Sequence, residues 1–174
     1  MELLGPPSGD LTHLLERFQS GTGMRVKKTT ATVSSGLLTI WERTMKAAAR
    51  GGGGHLAAED IYDEVEEANI QIGSADAAFL IRVASEPSVA SVFANTAIRL
   101  LGMLAEESLI SRSEVLPSLR DLLVHDDTQR RYYAAKALWQ ARDRDAVAVL
   151  RRRLDREPSE EVSSILQRAI AVLE

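Results

Sequence analysis

Side chains able to do acid–base, nucleophilic or metal chemistry are few in this sequence and lie scattered. The three histidines, His13, His55 and His125, stand far apart. His125-Asp126-Asp127 puts an imidazole beside two carboxylates, a set that suits a cation and equally suits a solvated turn with a capping aspartate. Glu59, Asp60, Asp63, Glu64, Glu66 and Glu67 place carboxylates four residues apart along a helix, where two can face one hard cation. No histidine or glycine loop accompanies them, so the pattern reads as an acidic surface. Ser34 and Ser35 have neither a histidine partner nor the strained turn of a hydrolase nucleophile. Gly21-Thr22-Gly23-Met24-Arg25-Val26-Lys27-Lys28-Thr29 has glycines and a Lys-Thr pair, as a phosphate loop does. It lacks the glycine that must precede that pair, and no strand leads in. No nucleophile, base and orienting group form a set. The expectation is therefore no enzyme activity, no catalytic residue, no cofactor and no metal. The absence of cysteine excludes disulfides, thiol catalysis and cysteine-ligated zinc or iron–sulfur sites, and fits a reducing, cytoplasmic compartment.

Residues suited to recognition are denser. Arg130, Arg131, Tyr132, Tyr133, Lys136, Trp139 and Arg142 crowd one segment, and arginine and tryptophan are the types most enriched at binding hot spots. Ala134, Ala137, Leu138 and Ala141 form the core stripe of that helix, which sets Arg131 and Trp139 beside the stripe and Arg142 a turn further on. We take Arg130, Arg131, Tyr133, Trp139 and Arg142 as candidate partner-binding residues. The competing arrangement packs Trp139 against a neighbouring hairpin and leaves the arginines solvated. Arg151-Arg152-Arg153 fans around its helix, so at most two can serve one partner. Ile170 joins the candidates for a different reason. Val162, Ile165, Leu166, Ala169, Ile170, Val172 and Leu173 cover a wide apolar arc on a last helix without a polar cap, and a second copy, a partner or the N-terminal segment would cover it.

The elements that position these residues emerge from periodicity. Met1–Gly9 reads as a loose leader, followed by a short helix capped by Asp10 with Leu11, Leu14, Leu15 and Phe18 on one face. The β-branched residues between Arg25 and Thr39 obscure the secondary structure of that stretch. Leu37, Ile40, Trp41, Thr44, Met45 and Ala48 predict a helix that ends before the glycines Gly51–Gly54. We place the domain boundary there, with a leader and helical segment over 1–54 and an acidic helix plus repeats over 55–174. The acidic helix spans about Ala57–Asn69. Three helical hairpins then share one plan, over about 76–105, 112–142 and 145–174. They turn at Glu86-Pro87-Ser88, at His125-Asp126-Asp127-Thr128 and at Arg156-Glu157-Pro158-Ser159. Ala94, Ala97 and Ile98 align with Ala134, Ala137 and Leu138, and those with Leu166, Ala169 and Ile170. Two helices per unit at a period of roughly 30–45 residues is the mark of an α-solenoid, although alanine-rich helices at this spacing also suit a bundle.

Composition agrees with an all-α chain. Apolar residues make up 45% and aromatics only 5%, with alanine and leucine dominant. The formal net charge of −4 excludes a uniformly basic nucleic-acid binder. Charge is nonetheless uneven. Residues 24–50 sum to +5, 57–86 to −7 and 128–156 to +6, so that a basic block has an acidic surface to meet, within the chain or on a partner. Met1–Asp10 has no basic stretch followed by a long apolar run, so no signal peptide is expected. No stretch approaches the ~18 apolar residues of a membrane span.

Leu119-Arg120-Asp121-Leu122-Leu123-Val124-His125-Asp126-Asp127, followed by Arg131, Ala134, Ala135, Ala137 and Leu138, resembles a HEAT repeat of the phycobilisome-lyase-like type. Arg130 stands where a valine is usual in that pattern and Arg131 where its arginine stands. The third hairpin keeps Val162 but has Ser163 for the arginine, and the first has Ala90 and Ser91. The resemblance covers about residues 76–173. It implies a short α-solenoid of about three HEAT-like hairpins after an N-terminal helical segment, and a non-catalytic scaffold, adaptor or regulator with a protein partner. It does not extend to lyase chemistry, since the chain lacks cysteine and any set of residues for handling a chromophore. A nucleic-acid-binding reading stands beside it. It would use the basic segment 25–50 (Arg25, Lys27, Lys28, Arg43, Lys46 and Arg50). A winged-helix-like segment over 55–85 would supply the recognition helix, where only Arg82 offers a phosphate contact.

Overall fold

The computed structural model describes residues 33–49 and 57–174. The leader, the helix after Asp10, the Gly21–Thr29 stretch, His13, His55 and the glycine run lie outside these residues. Among the described residues eight α-helices form and no strand does. They are α1 (Ser35–Ala49), α2 (Ala57–Glu67), α3 (Ser74–Ser85), α4 (Ser91–Glu106), α5 (Arg112–Asp121), α6 (Thr128–Gln140), α7 (Val147–Leu154) and α8 (Glu160–Leu173). Single 3₁₀ turns, Leu122–Val124 and Arg144–Ala146, extend α5 and lead into α7.

The three expected hairpins are present as α3–α4, α5–α6 and α7–α8, and the helices of each pack on one another. Aspartate and serine in the turns start the second helices as the sequence suggested. The Asp127 carboxylate accepts from the backbone N–H of Gln129 and Arg130, and the Ser159 hydroxyl from that of Val162. The first hairpin departs from this pattern. Ala90 precedes α4 without a side-chain cap, and the Ser91 hydroxyl donates to Asp127 of the next hairpin at 2.7 Å.

The stack extends one unit further towards the N-terminus than the repeat pattern indicated. Helix α1 packs on α2, and α2 packs on α4. The second helices α2, α4, α6 and α8 thus form one continuous layer. A shared backbone device marks α2 as one of this series. Asn69, Ser108 and Arg142, just past the ends of α2, α4 and α6, all take the left-handed conformation, with φ of 49°, 59° and 51°. The residue after each donates its N–H five positions back, from Ile70 to Val65, Leu109 to Leu104 and Asp143 to Leu138. These paired bonds satisfy the last carbonyls of each helix.

One apolar core runs from Leu37 to Leu173. The fully buried Trp41 of α1 meets Phe79 of α3 edge-on, with ring centroids 5.8 Å apart. Buried Asp76 fastens the same junction. It accepts from the N–H of Gly73 at the start of α3 and from that of Ser34 at the start of α1. The packed unit therefore includes α1, which precedes the glycine run.

Small residues let the second helices approach closely. A Cβ on Gly102 of α4 would lie 2.8 Å from the Cβ and 2.9 Å from the Cα of Ala137 in α6. The neighbouring atom is backbone and cannot turn aside. Gly102→Ala gains helix propensity but forces α4 and α6 apart, and overpacking of this kind costs more than the gain. The variant is expected to melt about 3–6 °C lower. An unchanged or raised Tm would show that the layer has slack at this point.

Candidate functional site

The two arginines at the start of α6 stand third and fourth from the cap residue Asp127. Helical side chains lean toward the N-terminus, so both reach back into turns. Arg130 is 1% exposed. Its guanidinium donates to the carbonyls of Ala84, Glu86 and Val89, at 3.1, 2.8 and 2.6 Å, across the turn between α3 and α4. Arg131, 5% exposed, reaches the other way. It donates to the carbonyls of His125 and Asp126 and makes a forked pair with Glu157 in the α7–α8 turn, both bonds 2.9 Å. One arginine thus holds the preceding hairpin and the other the following one. Both residues, offered by the sequence as partner-binding candidates, are buried here, and the hydrogen bonds of their terminal guanidinium nitrogens lie inside the stack.

The turns around them are electrostatically tuned. Burial alone would raise the Glu157 carboxyl. Hydrogen bonds from Arg131, Arg153 and the Ser159 N–H outweigh it and bring the group from 4.5 down to about 2. Burial, with Arg130 nearby, lowers the His125 pKa. The imidazole Nδ1 accepts from the Asp127 N–H at 3.0 Å, which seats the ring in the turn as a neutral acceptor. His125-Asp126-Asp127 is therefore a capping turn, the plainer of its two readings.

The remaining candidates lie on the outward side of the second-helix layer. Tyr133 and Trp139 are half-buried and rest on the core. Arg142 is exposed at the end of α6. Tyr132, a half-buried neighbour, meets Tyr133 edge-on at 5.2 Å. The Arg99 guanidinium of α4 lies over the Tyr133 ring, 5.7 Å from its centroid, and pairs with Glu59 of α2. Glu59, Arg99, Tyr133 and Tyr132 therefore form one ridge across three successive second helices. At its α2 end, burial and the carboxylates of Glu66, Glu107, Asp63 and Glu106 raise the Tyr62 pKa. Asn95 Oδ1, one turn before Arg99, and Glu59 Oε2 are buried acceptors without a hydrogen-bond partner among the described residues. Ile170 does not join this ridge. It is half-buried on α8, in the same helix as Val172, which is 58% exposed.

The sequence missed the α2 and α4 contribution, Glu59, Tyr62, Asn95 and Arg99. Their signal was the 40-residue offset that the alanines already showed, because Arg99 and Glu59 are themselves 40 positions apart. Of Arg151-Arg152-Arg153, Arg151 pairs with Glu174 and Arg153 with Glu157, while Arg152 is exposed.

Over residues 57–85 no strand forms and nothing supports the winged-helix reading. Helices α2 and α3 belong to successive hairpins, and α3 buries Asp76, Ala77, Phe79, Leu80, Val83 and Ala84. Of the basic block, Arg43 pairs with Glu64 and Lys46 is exposed, while Arg25, Lys27, Lys28 and Arg50 lie outside the described residues.

Stacked helical pairs with one continuous layer of second helices define an α-solenoid, a class whose units bury their faces against one another. Residues 77–171 match HEAT repeats, which is more than half of the 174-residue chain. The chain belongs to the HEAT-repeat family. No curated protein and no solved structure matches it. No helix among the described residues is long and apolar enough to cross a membrane.

Proposed function

We propose that this chain is a non-catalytic, cytoplasmic protein-binding module, a scaffold, adaptor or regulator, that holds a segment of a partner protein along its second-helix ridge. The observation that carries this reading is the row Glu59, Arg99, Tyr133 and Tyr132, partly exposed and fixed by mutual contacts. Rigid aromatic and arginine groups on a packed base lose little conformational entropy on binding, which makes them strong anchors. The face of α8 that carries Ile170 and Val172 is where a second copy would dock.

Trp139 and Tyr133 are the residues to remove. The double variant Tyr133→Ala, Trp139→Ala is expected to weaken a co-purifying protein about tenfold or more, with helicity retained and with nuclease making no difference. Ala148→Glu, at an exposed position on α7, serves as the control and is expected to bind normally. Equal retention by both variants would remove the ridge from the account. Co-elution that vanishes with nuclease would favour nucleic acid instead.

A further inference from the structure

An open groove lies between α1 and α2. One part, of about 570 Å³, is lined by Gly36, Ile40, Ala68, Ile70, Glu64 and Glu67. A second part, of about 420 Å³, shares Glu64 and Glu67 and continues past Thr44 and Ala47 to Asp60 and Asp63. Its floor is apolar and its rim carries four carboxylates. Arg43 pairs with Glu64, and no salt bridge joins Asp60, Asp63 or Glu67 to a cation among the described residues. Helix α2 also ends on Glu66 and Glu67 with no basic residue in its last turn. Carboxylates at a helix C-terminus face the negative end of the helix dipole, so this end of the groove calls for a cation twice over.

We infer that the groove is filled by the chain's own basic segment, Arg25-Val26-Lys27-Lys28. Three observations select this occupant. The segment has no acid and three cations, which complement the rim. Val26 offers an apolar side chain to the floor. Ser35, which itself lines the groove, comes seven positions after Lys28, and an extended chain of that length spans at most about 25 Å. The carboxylates from Asp60 to Glu67 occupy only about 10 Å of helix, well inside that reach. This contact also gives the +5 and −7 blocks of the sequence a common purpose. The groove is separate from the second-helix ridge, so the two proposals stand or fall independently.

Amine acylation of the full-length chain at low ionic strength tests the contact. Rates at Lys27 and Lys28 are read by mass spectrometry against a free peptide of residues 22–32. Both lysines are expected to react about fivefold more slowly in the chain than in the peptide. Asp60→Asn, Asp63→Asn, Glu67→Gln together, or salt at about 0.5 M, should return them to the peptide rate. All three positions are exposed, and the melting temperature of the variant checks that the stack is intact. Peptide-like rates in the unaltered chain would overturn the proposal, and so would protection that survives the triple substitution. Protection that disappears on dilution would overturn it too, because a second copy would then supply the segment.

Discussion

Replacing Arg130 with alanine is expected to destabilise the chain by about 3–5 kcal/mol, measured as a shift in the urea midpoint. The side chain is almost wholly buried, and its forked donors satisfy three carbonyls in the turn of the preceding hairpin. Alanine removes every donor at once and leaves a cavity where the stem packed. Arg130→Met restores most of the volume but none of the donors, so the loss that persists measures the hydrogen bonds alone. Lysine is no substitute, since a single ammonium cannot span carbonyls that a planar fork addresses together. Because stability in a solenoid resides in unit–unit interfaces, amides of α3 and α4 should exchange faster in the alanine variant, beyond the global effect. A cost below about 1 kcal/mol would mean that water replaces the guanidinium freely and that the turn is not held by it.

Glu157→Gln should cost a similar amount, about 3 kcal/mol, and should also change the response to acid. The Glu157 side chain has no exposed surface and neutralises both Arg131 and Arg153. Glutamine keeps the shape but leaves two guanidinium groups without their anion. A carboxyl held at about 2 against an ordinary 4.5 is a group whose folded-state pKa is depressed. Its contribution is complete above the ordinary value and is lost as pH falls from there toward the folded value, about 3 kcal/mol in all. His125 acts in a higher window. Its folded pKa is lowered, so the unfolded chain takes up the proton first and stability begins to fall below its ordinary 6.5. Asp127, also depressed, adds to the loss below 3.8. The unaltered chain should therefore lose stability in two stages on acidification. Glu157→Gln should keep the early stage and lose most of the later one. An identical acid limb in both proteins would show that Glu157 does not carry the later stage.

The hairpins were legible because their turns announce themselves. Proline or paired aspartates interrupt each helical pattern, and the alanine and leucine spacing repeats across the breaks. The first pair, α1 and α2, was harder to recognise. Seven residues including four glycines connect the two helices, and β-branched residues blur the entry to α1. The device that relates α2 to α4 and α6 is a left-handed residue at each helix end, filled here by Asn69, Ser108 and Arg142. Glycine is the usual sign of that conformation, and none of the three is glycine, so the sequence carried no common letter to find.

The candidate site was half legible for a related reason. Residue type singled out Tyr133 and Trp139, and the structure sets both on the outward side of the second-helix layer. Type alone also selected Arg130 and Arg131, because an arginine at a hot spot and one that satisfies turn carbonyls look alike in a sequence. Their distance from the cap residue distinguishes them. Arginines three and four places beyond Asp127 lie over the turn, where unsatisfied carbonyls collect. Arg99 escaped notice, and Glu59 was read only as part of an acidic surface, because each gains its place in the ridge from the neighbouring unit that it touches.

Photo-cross-linking in cells of the source organism tests the ridge most directly. A cross-linking residue at Tyr132 or Tyr133 is compared with one at Ala148 or Arg152, exposed positions on α7. The account predicts one discrete, nuclease-insensitive protein adduct from the ridge positions and none from α7. An adduct from α7 alone, or the same adducts from all four positions, would contradict it.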